Sequence, residues 1–84
     1  MPYRVVIKRS AEKELDALPV SVRQRIAVRL LALEDSPRPS GVKKLQGEES
    51  YRLRVGDYRV LFTINDRQQV VTIYAVGHRR EVYR

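Results

Sequence analysis

Several residue types are missing or rare in this sequence of 84 residues. It has no cysteine and a single histidine, His78, so it offers neither a disulfide framework nor the cysteine and histidine clusters that hold zinc. No apolar run approaches the roughly 20 residues that a membrane-spanning helix needs, and the beginning, MPYRVVIKRS, is too charged for a secretory signal. These absences predict a cytoplasmic protein that uses no metal, cofactor or membrane.

Acidic residues are scarce relative to basic ones. Lys and Arg total 17 against 10 for Asp and Glu, which gives a formal net charge of +7. Such an excess is typical of proteins that bind nucleic acid or an acidic protein partner. The length predicts one domain over residues 1–84, and a chain this short buries only about 60–65% of its unfolded surface. A partner chain would therefore add to its stability.

The first half of the chain predicts one strand and two helices. Residues 3–8 are rich in β-branched residues and favour a strand. Ser10 is a typical N-cap for a short first helix, whose apolar positions recur at helical spacing: Ala11, Leu15 and Leu18. A second, longer helix begins at Pro19, ends by Asp35 and carries an apolar stripe that is predicted to pack in the core: Val22, Ile26, Leu30 and Leu33.

The stretch YRLRVGDYRVLF, residues 51–62, predicts a tight β-hairpin, because Gly-Asp separates two alternating segments. Alternation predicts a core face with six side chains: Tyr51, Leu53, Val55, Tyr58, Val60 and Phe62. It places Arg52, Arg54 and Arg59 on the opposite, open face, hereafter the arginine face, with Arg54 directly across from Arg59. Because like charges opposed across a ladder destabilise it, we expect an anionic ligand there.

Two further strands are predicted around the hairpin, at 42–46 and 69–77. Joining the last pair through Ile64 and Gln69 puts His78 on the arginine face and several residue pairs in register: Phe62 with Val71, Val60 with Ile73, and Arg59 with Tyr74. The predicted fold class is α+β. It consists of an N-terminal strand and two helices packed on one face of a small antiparallel sheet.

The order of strand, helix pair, KKLQGEESYRLRVGDYRVLFTI and VVTIYAVGHRREVYR resembles the RelE branch of the RelE/ParE toxin superfamily, over essentially the whole chain. The most specific parts are YRLRVGDYRVLF and VGHRREVY. The resemblance implies a microbial-ribonuclease-like fold and the toxin of a type II toxin–antitoxin system. It implies a ribosome-dependent, metal-independent endoribonuclease that cleaves mRNA in the A site and so inhibits translation. The implied partners are the ribosome, mRNA and a RelB-like antitoxin in a hetero-oligomer.

The resemblance also implies catalytic positions. The family's basic pair before the turn falls on Arg52 and Arg54, its arginine after the turn on Arg59, its arginine after VG on Arg79 and its near-terminal tyrosine on Tyr83. The family often has lysine at the first two positions, and a lysine there has been assigned a proton transfer. Arginine keeps its proton, so Arg54 can clamp a phosphate but cannot be a base. RNA-binding roles are predicted for four more residues: Lys43, Lys44, His78 and Arg80.

Metal-free RNA cleavage needs a base for the 2′-hydroxyl, cations for the phosphoryl oxygens and an acid for the departing 5′-oxygen. Arg59 and Arg79 are predicted to be the main stabilisers of charge. Tyr83 is the first candidate for the base, because surrounding arginines favour a phenolate, although it could equally stack on an RNA base. His78 is the second candidate.

Two other functions fit the same sequence. One is a ParE-like toxin that inhibits DNA gyrase and performs no chemistry, although those relatives typically lack the ending HRREVY. The other is an inactive module that binds RNA or DNA. Cleavage of mRNA on translating ribosomes, together with an assay of gyrase supercoiling, separates the three.

Overall fold

The structure is a computed structural model that describes residues 2–45 and 49–78. Within these residues the chain forms two helices and five strands, and the strands make one sheet. The helices are α1 (Arg9–Asp16) and α2 (Val20–Ala32), and the strands are β1 (Arg4–Ile7), β2 (Val42–Lys44), β3 (Ser50–Val55), β4 (Tyr58–Asn65) and β5 (Val70–His78). The predicted α+β class is confirmed.

The strands lie in the order β1-β5-β4-β3-β2, which makes β4 the central strand. Strands β2 to β5 pair antiparallel with one another, as predicted. Strand β1 instead pairs parallel with β5, so the sheet is mixed rather than purely antiparallel. The two helices carry the chain from one edge of the sheet to the other, and the hairpins then return β5 to lie beside β1.

Both helices pack their apolar sides on one face of the sheet. The predicted stripe of α2 is confirmed, because Ile26, Leu30 and Leu33 are buried and Val22 packs against them. They meet Ala11 of α1 and the inward side chains of three strands: Leu53, Val55, Val60, Phe62, Val71, Ile73 and Val76. Burial of these side chains, worth roughly 1.5–3 kcal/mol for each large one, holds the two layers together.

The start of α1 differs from the prediction. Lys8, not Ser10, occupies the N-cap position, and Ser10 lies in the first helical turn. The reason is that β1 runs directly into α1: the Lys8 amide still donates to the Ile73 carbonyl at 2.9 Å, while the Lys8 carbonyl accepts from the Glu12 amide at 2.8 Å. The strand and the helix share one residue, which leaves no room for a separate cap.

The β3–β4 hairpin has the predicted register, with Val55 opposite Tyr58 and Arg54 opposite Arg59. Gly56 in its turn has φ 60°, in the left-handed region that glycine adopts without steric cost. A two-residue turn leaves little freedom in how the strands align. The sequence was therefore sufficient to predict the pairing.

The predicted register of the β4–β5 hairpin is wrong. Asn65 pairs with Val70 and Phe62 with Ile73, because the turn includes Gln69, whose φ of 57° lies in the left-handed region. A β-bulge between Leu61 and Phe62 then shifts the pairing once more. Beyond it the residue opposite Arg59 is Gly77 rather than the predicted Tyr74.

A polar network ties the β4–β5 turn to the start of β1 and to the loop after α2. Arg38 donates from Nη1 and Nη2 to the two carboxylate oxygens of Asp66, at 3.0 and 2.9 Å. Tyr3 donates its hydroxyl to the same carboxylate at 2.7 Å. The Arg38 guanidinium also lies 5.1 Å from the centre of the Tyr51 ring. The hydrogen bonds from Arg38 and then from Tyr3 lower the pKa of Asp66 from 3.8 to about 2.

This pKa predicts a contribution to acid stability. Because the folded-state pKa of Asp66 is depressed, its contribution is fully present above its ordinary value of 3.8 and is lost as the pH falls through about 2. We expect Asp66→Asn to melt at a lower temperature than the wild type at neutral pH, with the difference shrinking between about pH 4 and pH 2. Asp57→Asn is the matched control. A difference in melting temperature between Asp66→Asn and the wild type that stays constant across that pH range would contradict the linkage.

Candidate nucleic-acid interface

The arginine face lies on the side of the sheet away from the helices. Lys43 joins it, because Lys43 is directly opposite Arg52 across the β2–β3 ladder. Arg54 is directly opposite Arg59 across the β3–β4 ladder. None of the five described strands contains Asp or Glu. Four cationic side chains from three adjacent strands thus share one surface of the sheet, and no strand residue supplies a carboxylate to that surface.

Arg59 is the most unusual member of the arginine face, because it is a buried cation. Only 6% of Arg59 is exposed, and the same fraction of its neighbour Leu61 is exposed. The arginine face was predicted to be open, but at the central strand its side chains are buried. Arg59 donates from Nη1 to the Tyr58 carbonyl at 3.2 Å, and its buried Nε has no hydrogen-bond partner. In the described part of the chain no carboxylate pairs with it. A buried, incompletely paired guanidinium is costly and is typical of an anion site.

An open cleft adjoins the arginine face at the edge of the sheet. Its volume is about 460 Å³, and its lining comes from β2, β3, two turns and α2: Arg29, Gly41, Lys43, Arg52, Arg54 and Gly56. Arg29 was not among the predicted site residues, because helical spacing shows only that it lies off the core stripe. The spacing of Arg25 and Arg29, one turn apart on α2, is the signal that could have drawn attention to it.

Two of the predicted RNA-binding residues lie off the arginine face. Lys44 is paired with Tyr51, which puts it on the helix side of the sheet edge. His78 is paired with Tyr58, and the two rings meet edge to face with centroids 5.8 Å apart. The prediction that His78 lies on the arginine face is therefore wrong, because the β-bulge reverses the alternation in the last part of β5.

Three predicted site residues, Arg79, Arg80 and Tyr83, lie outside the described residues. Gly77 of β5 is directly opposite Arg59, and the next residue, His78, is the last one described. Near this end of the strand, beyond the last pairing with β1, Glu14 of α1 accepts a hydrogen bond from the Val76 amide at 3.0 Å. This contact anchors the last part of β5 against α1.

Two kinds of feature are absent from the described ranges, 2–45 and 49–78. They contain no group of three or more His, Cys, Asp or Glu side chains arranged to hold a metal ion. Neither of their helices is long and apolar enough to cross a membrane.

The fold and the arginine face define a class: a small basic α+β domain whose sheet surface is suited to an anionic ligand. A sequence model described as the ParE toxin of the type II toxin–antitoxin system parDE matches residues 5–83. The chain belongs to the RelE/ParE toxin superfamily and is a RelE-like toxin of a type II toxin–antitoxin system. The family predicted from the sequence is confirmed.

Similar proteins cover the whole chain. Toxin RelG of Mycobacterium tuberculosis is 35% identical over 88 aligned positions, which cover 100% of this chain and 99% of that protein. The archaeal RelE–RelB complex from Pyrococcus horikoshii contains a chain with a TM-score of 0.85 and 34% identity, covering 98% of this chain and 100% of that one. The E. coli RelBE toxin–antitoxin complex gives a TM-score of 0.80 at 28% identity, with coverage of 90% and 95%.

The burial of Arg59 predicts that the arginine face lowers the stability of the free protein. We expect Arg59→Met to raise the free energy of unfolding by about 1–2 kcal/mol, because it removes a buried charge and its repulsion with Arg54. Urea denaturation in a buffer without phosphate measures this. The matched control Arg67→Met, at an exposed position in the β4–β5 turn, should change stability by less than about 0.5 kcal/mol. A less stable Arg59→Met would mean that the folded protein itself satisfies Arg59.

Proposed function

We propose that this toxin is a ribosome-dependent endoribonuclease that cuts mRNA in the A site without a metal ion. The observation that carries the proposal is the pairing of buried Arg59 with Arg54 on a sheet surface that has no acidic strand residue. One guanidinium can donate two parallel hydrogen bonds to the two non-bridging oxygens of a phosphodiester, and the β3–β4 register brings two arginines to this surface. The likeness to RelE-type toxins supports RNA as the source of that phosphate.

In the proposed reaction the 2′-hydroxyl of the substrate attacks its own phosphodiester. A bond forms between the 2′-oxygen and phosphorus, the bond from phosphorus to the 5′-oxygen breaks, and the products end in a 2′,3′-cyclic phosphate and a 5′-hydroxyl. The proton of the 2′-hydroxyl goes to a base, and the leaving 5′-oxygen takes a proton from an acid. The phosphoryl oxygens carry additional negative charge in the transition state.

The proposed role of Arg59 is to stabilise that charge, with Arg54 beside it. Because Arg59 is buried, its field is less screened by water, and its guanidinium is already in place before the reaction begins. Arg52 and Lys43 form the next cross-strand pair and are proposed to hold the same phosphate or its neighbour. Arginine does not release its proton, so the base must come from another residue.

Tyr83 remains our first candidate for the base, and Arg79 our second main stabiliser of charge. His78 becomes less suited to proton transfer at the arginine face, because it packs against Tyr58 on the other side of the sheet. His78, Lys44 and Arg80 are proposed at most to contact RNA at the margins of the site. We retain these assignments as predictions from the resemblance.

We also propose that a cognate RelB-like antitoxin binds this toxin in a hetero-oligomer and that both act in the cytoplasm, where the ribosome and mRNA are. The solved complexes of Pyrococcus horikoshii and E. coli pair RelE with RelB. In this chain the net charge of +7 and an apolar groove of about 320 Å³ support such a partner. The groove lies between β1 and the helices: Val5, Ile7, Leu15, Ala27, Leu30, Leu31 and Glu34.

A second candidate function is inhibition of DNA gyrase without chemistry, as in ParE-like toxins. The description of the matching family as ParE favours it. The arginine face favours the ribonuclease, because a toxin that acts only by binding to gyrase does not require a buried guanidinium ready to hold a phosphate.

Arg59→Ala tests the ribonuclease proposal. We expect the wild type to produce codon-phased cuts in mRNA on translating ribosomes and Arg59→Ala to cut about 10²–10³-fold more slowly, the typical effect of losing one well-placed donor. Arg67→Ala, which removes the same charge at an exposed turn, should retain wild-type activity. The readout is the mapping of mRNA 5′ ends over time.

The outcomes separate the two candidates. Intact mRNA with wild-type toxin, together with blocked supercoiling by gyrase, would replace the ribonuclease with the ParE-like function. Equal cutting by Arg59→Ala and the wild type would remove Arg59 from the active site while leaving the ribonuclease activity in place.

A further inference from the structure

Arg29 of α2 brings a cation from the helical layer to the edge of the arginine face. It lines the same open cleft as Lys43, Arg52 and Arg54. Its Nη2 atom lies 3.6 Å from the position that a Cβ atom would take on Gly41. The helix side chain therefore extends over the loop before β2 and reaches the place where the chain enters the sheet.

A second arginine continues this surface along α2. Arg25 and Arg29 line a neighbouring cleft of about 290 Å³ with Val28, Val55 and Gly56. The guanidinium of Arg25 lies beside the hairpin turn, with Nη2 at 3.6 Å from the Cβ position of Gly56. The two clefts share Arg29 and Gly56, so they form one basic path from the arginine face, over the edge of the sheet, to α2.

Three cations on this path, Arg25, Arg29 and Lys43, have no acidic partner within the described residues. No acidic side chain lines either cleft. Within residues 2–45 and 49–78, no hydrogen bond or ion pair engages the side chains of Arg25, Arg29 or Lys43, whereas both Nη atoms of Arg38 bind the Asp66 carboxylate. Arg25, Arg29 and Lys43 therefore lie together here without a carboxylate partner among the described residues.

We propose that Arg29, with Arg25 one helical turn away, binds the RNA backbone next to the scissile phosphate. The inference rests on the proposed ribonuclease function and assigns to the same site a second group of phosphate-binding residues, from the helical layer. The RNA strand would leave the arginine face near Arg54, cross the edge of the sheet at Gly41 and Gly56, and run along α2. Arg25 and Arg29 are separated by about 6 Å along the helix axis, a spacing that suits successive phosphates of an extended strand.

RNA fits this path better than an acidic protein segment does. The path is continuous with Arg52 and Arg54, which are proposed to hold the reacting nucleotide. Gly41 and Gly56 carry no side chains, so the guanidinium groups of Arg29 and Arg25 can lie close against the backbone at this edge, where they line the clefts. The apolar groove proposed for the antitoxin lies elsewhere, between β1 and the two helices.

The test measures the affinity of the full chain for a fluorescent single-stranded RNA with 2′-O-methyl groups, which block the attacking hydroxyl and prevent cleavage. Fluorescence anisotropy at several KCl concentrations gives both the affinity and its salt dependence. Arg29→Gln removes the charge and keeps most of the stem, Arg29→Lys keeps the charge, and Arg67→Gln removes a charge at a distance. Thermal denaturation checks that each variant is folded.

We expect Arg29→Gln to weaken binding by roughly threefold to tenfold, as for the loss of one charged contact, and to reduce the salt slope by about 0.7, as for the loss of one phosphate. Arg25→Gln should behave alike, Arg29→Lys should keep the wild-type slope, and Arg67→Gln should leave both quantities nearly unchanged. Equal values for Arg29→Gln and Arg67→Gln would overturn the inference.

Two further results distinguish this inference from the proposed function. If the wild type cuts mRNA on ribosomes but Arg29→Gln binds RNA like Arg67→Gln, the inference fails and the ribonuclease stands. If the wild type never cuts mRNA but Arg29→Gln weakens RNA binding and Arg67→Gln does not, the ribonuclease fails and the RNA path stands. Weakened binding of the cognate antitoxin with unchanged RNA affinity would overturn the inference in favour of an acidic protein.

Discussion

Two arginines, Arg54 and Arg59, lie directly opposite each other across the β3–β4 ladder, and the described part of the protein gives them no counter-charge. Arg54 and Arg59 repel one another, and burial makes the repulsion at Arg59 harder to screen. The core on the other side of the same strands keeps the pair in place, because Leu53, Val60 and Phe62 are fully buried against the helices. The packing of the core therefore offsets the destabilising repulsion between the two arginines. Such local destabilisation is common at functional sites.

The sheet and the helices contribute differently to this surface. The central strand holds Arg59 at a depth where its field is strong, and β2 and β3 surround it with more exposed cations. Helix α2 stabilises the core with one side and turns Arg29 toward the edge of the sheet with another. The engaged ion pair of Arg38 with Asp66 lies apart from the arginine face. The ion pair that stabilises the fold is therefore separate from the cations that are proposed to bind RNA.

The sequence predicted the parts of the fold that local signals determine. The Gly-Asp turn defined the first hairpin and with it the Arg54 and Arg59 pair, whereas no local signal revealed the left-handed turn residue Gln69 or the β-bulge in the second hairpin. That bulge is why His78 was assigned to the wrong face. The burial of Arg59 depends on the order of the strands, and the place of Arg29 depends on how α2 packs, so neither could be read from spacing alone.

The central claim is that the arginine face holds the phosphates of RNA. The most direct test is the affinity of the wild-type protein for uncleavable single-stranded RNA across a range of salt concentrations. If about three to five phosphates are neutralised, the logarithm of affinity falls against the logarithm of salt with a slope of about −2 to −4. An affinity that does not change with salt would contradict the claim.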